Sequence, residues 1–389
     1  MIETPLDILE DVVRWRRQIH RRPEFGFAEH ETSALVEAEL RKAGIDSRRV
    51  AGTGIVATLK GALPGKTLGL RADMDALPID ERSGLDFSSE TPGAMHACGH
   101  DAHTAMLLGA AVSLARDRSR LAGVVKFFFQ PAEEGPGGAK PMIEAGVMDS
   151  PKVDAVVMLH VWPTLRAGTI GVRRGAMTAS CDDFEIEVKG RGGHGGYPHN
   201  AVDTIPIAAE IVGALQRIVS REIDPLQPVV VSIGRIEGGY RRNVIADSCK
   251  MLGTVRCLDG DVRKTMPERI ERVVAGICTA HRAAHSIAFE FGYPSVHNDP
   301  ALTDAVMLVA AGVPEVRGVT ELAHPTMGAE DFAYFAEVAP GCMIRLGSAA
   351  PDDVQPASLH SPEFRLDEST LPAGVALLRA LAFRLPVLT

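Results

Sequence analysis

The chain has 389 residues, with 41 lysines and arginines against 50 aspartates and glutamates, which gives a formal net charge of −9. Apolar residues make up 46% and charged residues 23%, which is typical of a globular protein and excludes the disordered and collagen-like classes. A chain of this length usually divides into two or more domains. The net negative charge predicts no nucleic-acid partner, because proteins that bind nucleic acids usually carry stripes of basic residues.

The sequence carries no pattern of a membrane or secreted protein. The longest apolar candidate, Ala105–Ala115, is too short to cross a bilayer, so no membrane association is expected. Residues 1–5 show no basic region followed by an apolar one, which predicts no secretory signal. Six cysteines are scattered without a Cys-x-x-Cys pair, so a reduced, cytoplasmic protein without a disulfide framework is expected.

The first part of the chain alternates helical and strand patterns. These patterns predict helices near 7–22 and 30–43, strands near 54–59 and 68–72, a helix near 102–116, a strand over 124–129, a helix near 138–146 and a strand over 155–159. Short continuous apolar runs between helices indicate strands buried on both faces. An α/β sandwich with a largely parallel sheet is therefore expected.

The pattern changes at residues 183–189, where polar and apolar residues alternate as in a sheet with one wet face. A helix over 201–220, strands near 229–236 and 244–256, a helix spanning Val262 to Ile277 and a strand over 286–291 follow. This order is the ferredoxin-like split motif. Helices near 299–312 and 367–384 follow, with the α/β pattern of the first part of the chain. The sequence predicts an α/β domain of residues 1–178 and 296–389, interrupted by an α+β domain of residues 179–295.

Residues with metal-binding chemistry fall where predicted strands end, which is where ligand sites gather in open α/β sheets. His96, Cys98, His100 and His103 lie within eight residues. A thiolate and an imidazole two residues apart can hold one metal or bridge two, because Gly99 lets the backbone turn between them. The alternative is a buried cysteine with polar residues that cap a helix.

Glu133 and Glu134 follow the predicted strand that ends at Phe129. Adjacent side chains point to different sides, so one carboxylate can bind a metal while its neighbour carries protons. Alone, such a pair is usually a solvated surface feature, and His160 and His360 are each more often structural residues than ligands. Together, one cysteine, three histidines and a carboxylate form a ligand set suited to two divalent ions of the zinc or manganese kind.

Asp73 and Asp75 also follow a predicted strand. An aspartate near metal-bound imidazoles typically fixes their tautomer by a hydrogen bond. The local pattern fits equally well a turn that an aspartate opens before Pro78.

Taken together, these motifs resemble the dinuclear metallopeptidase and aminoacylase family, specifically its amidohydrolase branch of hippurate hydrolases, N-acyl-amino-acid amidohydrolases and auxin-conjugate hydrolases. The matching segments run nearly end to end: Arg14-x-x-Arg17-x-x-His20-x-x-Pro23-Glu24, Arg71-Ala-Asp-Met-Asp-Ala-Leu-Pro78, Met95-His-Ala-Cys-Gly-His-Asp101, Gln130-Pro-Ala-Glu-Glu-Gly135, Gly192-Gly-His-Gly-Gly-Tyr-Pro-His199, Met327-Gly-Ala-Glu-Asp-Phe332 and Leu359-His-Ser-Pro362.

The resemblance implies a role for each residue of the centre. Glu133 is implied to be the general base and acid, with Asp75 and His194 as further catalytic residues. Peptidase branches use a His-x-Asp pair and a bridging aspartate, and in this chain Asp73-Met74-Asp75 and Cys98 occupy the corresponding regions. This departure fits the amidohydrolase branch and leaves the role of Asp73 open. The implied metal ligands are Cys98, His100, Glu134, His160 and His360.

The inserted domain is implied to be a lid and dimerisation domain, so a homodimer is expected. His194 resembles the lid histidine that reaches the scissile carbonyl, and Asn243 and Arg256 resemble substrate-binding residues. A guanidinium can hold a free α-carboxylate in a fork. Without the resemblance, residues 192–196 are a plain loop and Arg256 a surface strand residue.

The expected reaction is metal-dependent hydrolysis of the amide bond of N-acyl amino acids, such as hippurate-like, N-acetyl or indoleacetyl conjugates. The expected cofactor is two divalent ions per subunit, zinc or manganese, with nickel and cobalt as further candidates because thiolate ligation changes metal preference. The alternatives are a dipeptidase or carboxypeptidase of the same family, and a metal-dependent binding protein without turnover. The presence of both Glu133 and Glu134 argues against the last.

Overall fold

A computed structural model describes residues 6–388. The first part of the chain contains α1 (Leu6–Arg21), α2 (His30–Lys42), β1 (Asp46–Val50), β2 (Gly54–Lys60), β3 (Leu63–Asp73), α3 (His100–Arg116), β4 (Ala122–Gln130), α4 (Ala139–Glu144), β5 (Ala155–Arg166), β6 (Thr169–Val172) and β7 (Gly175–Ala176). The middle part contains β8 (Asp182–Lys189), β9 (Gly193–His194), α5 (Thr204–Arg217), β10 (Val229–Gly238), β11 (Val244–Ile245), β12 (Ser248–Cys257), α6 (Gly260–Ala280) and β13 (Ala284–Phe291). The last part contains β14 (His297–Asn298), α7 (Pro300–Ala311), β15 (Gly318–Glu321), α8 (Ala333–Val338), β16 (Gly341–Ala349) and α9 (Leu371–Leu388).

The chain forms two compact units. The first contains the described residues up to Gly175, together with His297–His324 and the residues from Asp331 onward. The second contains Ala176–Val296 and Pro325–Glu330. The expected inserted domain, residues 179–295, differs from the second unit by one to three residues at its ends and by the segment Pro325–Glu330, which the sequence pattern assigned to the first domain.

The first unit is built on an eight-stranded sheet in the order β1-β2-β4-β3-β5-β16-β6-β15. Strands β4, β3, β5 and β16 lie at its centre and pair in parallel, whereas β1, β2 and β4 pair antiparallel towards one edge. Strand β4 is buried along nearly its whole length, Lys126 included, which agrees with the apolar residues on either side of that lysine. The expected sandwich with a largely parallel sheet is confirmed.

Helices α1, α3 and α9 share one large apolar core with the sheet. Gly109 permits the close approach of α3 to α1, because a Cβ there would lie 2.3 Å from Val12 Cγ2. Residues Glu368–Val387 are long and apolar enough to cross a bilayer, with a mean hydropathy of 1.3, and 72% of that window is buried. The expectation that Ala105–Ala115 is the longest apolar candidate is therefore wrong, because a mostly buried helix of the core exceeds it.

The second unit is a four-stranded antiparallel sheet in the order β10-β12-β8-β13, packed against α5 and α6. Strand β8 alternates buried and more exposed positions, because Phe184, Ile186 and Val188 contribute to the core under the helices. Helix α5 begins after Asp203, whose carboxylate accepts a hydrogen bond from the Ile205 N–H. This sheet order is that of the ferredoxin-like split motif, as expected from the sequence.

Some elements differ in extent from the prediction. The strand expected over 244–256 is divided into β11 and β12, the helix expected over 201–220 begins at Thr204, and the last helix begins at Leu371 rather than at 367. Strand β16 was not predicted, although it lies between β5 and β6 and is buried throughout. Its apolar run is interrupted by Arg345, which obscures the pattern of a buried strand.

Candidate metal centre

The expected donor residues meet at the carboxyl ends of the central strands. Strand β3 ends at Asp73, β4 ends at Gln130, β5 carries His160, and α3 begins at His100. Gly99, which precedes α3, has a φ of 87° and lies so close to β5 that a Cβ would be 2.4 Å from Val161 Cγ2. Only glycine fits this turn, which places the side chains on either side of it against β5.

The five predicted ligands form two overlapping sets. The donor atoms of Cys98, His100 and His160 lie within 4.8 Å of one another, and so do those of Cys98, Glu134 and His360. Cys98 Sγ is 3.6 Å from His160 Nε2, and Glu134 Oε1 is 3.0 Å from His360 Nε2. Because a metal bonds to such donors at about 2.0–2.3 Å, separations of this size suit a shared ion, and the cysteine common to both sets suits two ions side by side.

The tautomers of the two inner histidines leave Nε2 for a metal. His100 Nδ1 donates to the Asp75 carbonyl at 2.9 Å, and His160 Nδ1 donates to the Val161 carbonyl at 2.7 Å. Since a carbonyl only accepts, the proton sits on Nδ1 in both rings and Nε2 presents a lone pair. Among the described residues, His100 Nε2 is buried without a hydrogen-bond partner, and it lies 3.9 Å from Glu134 Oε1. A buried ring nitrogen with a free lone pair beside a carboxylate oxygen fits a bound cation.

His103 lies beside the centre but differs from the ligands. Its Nδ1 is 2.6 Å from Asp73 Oδ1, and its Nε2 accepts the Val161 N–H at 2.9 Å. Asp73 Oδ2 also accepts from Arg71 Nη1 at 2.7 Å. Both nitrogens of His103 are thus engaged, although its donor atoms and those of Asp73 and His100 lie within 4.8 Å of one another. The structure therefore places Asp73, whose role the sequence left open, as the acceptor that holds His103 and Arg71.

Asp75 organises the two adjacent glutamates. Its Oδ1 accepts the Glu133 N–H at 3.0 Å and its Oδ2 accepts the Glu134 N–H at 2.9 Å, while its carbonyl accepts from His100. A carboxylate engaged by two backbone amides positions its neighbours. These contacts give Asp75 a positioning role, and the catalytic role that the resemblance implies for it stays a prediction.

Glu133 is buried, with 7% of its surface exposed. One of its carboxylate oxygens lies within 4.8 Å of the donor atoms of His100 and Glu134. This position, beside the donors of the centre, is where a carboxylate reaches a water activated by a metal.

Burial and charge in the centre favour a bound cation. Burial, with the nearby carboxylates of Glu134 and Glu133, raises the pKa of the Cys98 thiol well above its usual range. Burial opposes ionisation of Glu134 as well, but His360 and His100 hold the pKa of that carboxylate below its usual value. A thiol among carboxylates becomes a thiolate when a divalent ion binds, because the ion outweighs the neighbouring negative charge.

The expected lid residues belong to the second unit. His194 in β9 pairs with Val244 in β11, and the Gly195 N–H bonds to the Asn243 carbonyl at 2.8 Å. His194 is exposed, and its Nδ1 accepts the Gly196 N–H at 3.0 Å. Its Nε2 therefore carries the proton of the neutral ring and is available as a donor. Arg256 lies on β12 opposite Val230, and it does not belong to the β9–β11 pair that carries His194.

A second buried cluster surrounds His20, which the sequence did not single out as a functional residue. His20 Nδ1 is 2.9 Å from Asp101 Oδ2, and its Nε2 is 3.1 Å from Glu81 Oε1. Because both ring nitrogens face carboxylates, the imidazole is doubly protonated. Burial opposes this charge, but Asp101 and Glu81 raise the pKa of His20 to about 9. Burial also opposes ionisation of Glu81, yet His20 and the hydrogen bonds to that carboxylate lower its pKa to about 2.

This cluster predicts a pH dependence of stability. The pKa of His20 is raised from 6.5 to about 9, so its contribution is full below pH 6.5 and is lost as the pH rises through 9. The Glu81 pKa is lowered from 4.5, so that contribution is present above pH 4.5 and is lost towards pH 2. Urea unfolding of the wild type and His20→Gln should differ by about 2–3 kcal/mol at pH 6 and much less at pH 9.5. A difference that does not change with pH would contradict the assignment.

A parallel sheet that presents thiol, imidazole and carboxylate donors at its strand ends, with a further carboxylate beside them, has the architecture of a metal-dependent hydrolase. The sequence model of Peptidase family M20/M25/M40 matches residues 69–384. The chain therefore belongs to this family, and the expected resemblance to dinuclear metallopeptidases and aminoacylases is confirmed.

Named relatives and a solved structure agree with this assignment. The chain is 42% identical over 379 residues to thermostable carboxypeptidase 1 of Saccharolobus solfataricus, covering 96% of this chain and 95% of that protein. It is 45% identical over 294 residues to an N-acyl-L-amino acid amidohydrolase of Geobacillus stearothermophilus, covering 75% and 79%. The crystal structure of a dinuclear metal-binding M20 peptidase from Bacillus subtilis superposes with a TM-score of 0.86 at 35% identity, covering 98% of this chain and 99% of that one.

Proposed function

We propose that the protein hydrolyses the amide bond of N-acyl amino acids, releasing a carboxylic acid and a free amino acid. The observation that carries this proposal is the convergence of Cys98, His100, Glu134, His160 and His360 with Glu133 beside them. The similarity to an N-acyl-L-amino acid amidohydrolase supports this substrate class. The acyl groups that we propose are benzoyl, acetyl and indoleacetyl.

The metal ligands, Glu133 and Asp75 have different roles in the proposed hydrolysis. A divalent metal held by the five donors would lower the pKa of a water from about 15.7 towards 7 and polarise the scissile carbonyl. Glu133 takes the proton of the attacking water and returns it to the departing amine. Asp75 accepts hydrogen bonds from the backbone N–H groups of Glu133 and Glu134, so it positions the backbone that carries both carboxylates.

The residues of the second unit keep the roles that the family resemblance implies. His194 would donate a hydrogen bond from its Nε2–H to the oxygen of the tetrahedral intermediate, a contribution of about 3 kcal/mol for a well-placed donor. Arg256 would hold the α-carboxylate in a fork, with Asn243 beside the substrate.

The cofactor and assembly belong to the same proposal. Two ions per subunit, zinc or manganese with nickel and cobalt as candidates, suit a site that mixes thiolate, imidazole and carboxylate. We further propose a homodimer through the second unit, a cytoplasmic location, and no nucleic-acid or membrane partner. All six cysteines are free thiols, which suits a reducing compartment.

Metal removal should abolish activity. Dialysis against a chelator is expected to lower hydrolysis of N-acetyl and N-benzoyl amino acids by at least about 100-fold, and titration with Zn²⁺ or Mn²⁺ should restore it at about two equivalents per chain. Metal analysis and a colorimetric assay of released amino acid make the measurement. Full activity in the protein shown to be metal-free would contradict the proposal.

A substrate panel separates the two enzymatic candidates. The similarity to a carboxypeptidase favours peptide hydrolysis as the second candidate. Benzoyl-, acetyl- and indoleacetyl-amino acids should be hydrolysed with higher kcat/KM than dipeptides or peptides. Preference for peptides would establish the alternative, whereas binding of N-acyl amino acids without hydrolysis in the metal-loaded protein would indicate a binding protein.

A further inference from the structure

Within the described part of the chain, Arg345 is a buried cation without a counter-ion. The residue is 6% exposed, and among residues 6–388 its Nε and Nη2 atoms find no hydrogen-bond partner. The other buried arginines are each paired with a carboxylate: Arg16 with Asp101, Arg71 with Asp73 and Arg379 with Asp117. Among residues 6–388, no carboxylate lies within 4 Å of the Arg345 guanidinium.

The surroundings of Arg345 offer it an aromatic surface but no charge. Its Cζ lies 3.7 Å from the centroid of the Trp162 ring, which is partly exposed. Burial alone lowers the pKa of Arg345 to about 10, so the side chain remains charged at neutral pH. A buried charge normally costs several kcal/mol unless it is paired, so an unpaired guanidinium held over an indole ring is suited to bind an anion.

Arg345 lies close to the metal centre. On β16 it lies opposite His160 of β5, and Gly347 lies opposite Trp162. Since neighbours across a sheet point to the same face, Arg345, His160 and Trp162 share one face. The Trp162 and His160 ring centroids are 5.9 Å apart, so with the 3.7 Å stacking distance the guanidinium carbon is at most about 10 Å from the His160 ring.

We propose that Arg345, seated on Trp162, binds a second carboxylate of the substrate, beyond the α-carboxylate expected at Arg256. The inference rests on the proposed hydrolysis of N-acyl amino acids and narrows it to substrates with two carboxylates. The second carboxylate comes either from a diacid acyl group, such as succinyl, or from an acidic amino-acid side chain, such as glutamate. A spacing of two or three carbons from the scissile amide suits the distance to His160, at about 1.5 Å per carbon–carbon bond.

The kinetic test uses two matched substrate pairs, N-acetyl-glutamate against N-acetyl-glutamine and N-succinyl-leucine against N-succinamoyl-leucine. In the wild type the acid should be preferred in at least one pair, which identifies the source. Arg345→Met should lower kcat/KM for that acid by about 10- to 100-fold, as expected for a lost charged hydrogen bond, and change its neutral partner by less than about 3-fold. Arg345→Lys, which keeps the charge without the fork, should fall between them.

A purely structural role for Arg345 predicts a different result. In that case Arg345→Met lowers kcat/KM for the acid and the neutral member of both pairs by the same factor, and the proposal is wrong. Arg384→Met, which removes an exposed arginine of the same unit, is the control for net charge and should leave both pairs unchanged. Melting curves and metal content show whether each variant is folded and loaded.

A binding measurement separates this inference from the proposed function. Trp15→Phe leaves Trp162 as the single tryptophan of the chain, and the Trp15 Nε1 that it removes has no hydrogen-bond partner. Glutarate added to the metal-loaded Trp15→Phe protein should change Trp162 fluorescence saturably, and Arg345→Met in that background should weaken its binding at least 10-fold relative to butyrate. If no N-acyl amino acid is hydrolysed, the proposed function is wrong, but the titration still shows whether Arg345 binds a carboxylate. Equal glutarate binding with and without Arg345 shows that Arg345 does not bind a carboxylate and overturns the inference.

Discussion

Replacing Glu133 with glutamine is expected to lower kcat for N-acyl amino acid hydrolysis by about 100- to 10,000-fold, without loss of metal. Glutamine keeps the shape of the side chain but cannot take a proton from the attacking water. The turn that carries residue 133 should remain in place, because Asp75 holds it through the backbone N–H at 3.0 Å. Initial rates and metal analysis of the same preparation make the measurement.

The control for this substitution is Glu144→Gln, which changes an exposed glutamate of the same unit and should leave kcat unchanged. Activity of Glu133→Gln within tenfold of the wild type would remove Glu133 from the role of base. If Glu133→Gln loses both activity and one equivalent of metal, Glu133 is instead a metal ligand.

Replacing Arg71 with methionine is expected to reduce the free energy of unfolding of the first unit by about 3–5 kcal/mol. The Arg71 side chain is fully buried, and it donates to Asp73 Oδ2 at 2.7 Å and to Asp331 Oδ1 at 2.9 Å. Its Nε donates to Gln130 Oε1 at 2.8 Å. Methionine fills a similar volume but leaves the two buried carboxylates without the Arg71 cation. Removing only one partner of a buried ion-pair network destabilises a protein more than replacing the whole network by apolar residues.

Urea unfolding followed by tryptophan fluorescence measures this effect, because both tryptophans, Trp15 and Trp162, belong to the first unit. Arg174→Met is the matched control, since Arg174 also pairs with two carboxylates but is 41% exposed. Exposed pairs contribute about 0–1 kcal/mol, so the control should change little. Equal effects of the two substitutions would show that the Arg71 network does not stabilise the unit.

Local patterns in the sequence predicted most of the fold. The apolar spacing of α1 indicates burial on one face, and the apolar run of β4, which only Lys126 interrupts, indicates burial on two faces. Both elements lie close to where they were expected. Strand β16 was missed because Arg345 interrupts its apolar run, and β1 was missed because its residues are mostly exposed and charged. Neither strand has a clear local signal, and the contact of Arg345 with Trp162 joins two strands that are far apart in the chain.

The donor set was also predicted, because cysteine, histidine and paired glutamates at strand ends are unusual as a group. The roles of Asp73 and Asp75 could not be separated from sequence. They differ in their partners: Asp73 accepts from Arg71 and His103, whereas Asp75 accepts from the amides of the glutamate pair. Those partners are up to 59 residues away in the chain, so only the folded structure distinguishes the two aspartates.

Anomalous diffraction at the metal edge, from crystals of the protein loaded with zinc or manganese, tests the metal centre most directly. We expect two ions, bonded at about 2.0–2.3 Å to donors from Cys98, His100, Glu134, His160 and His360, with Glu133 outside the coordination shells. Ions found on Asp73 and His103 instead, or an occupied centre that excludes either Cys98 or His360, would contradict this expectation.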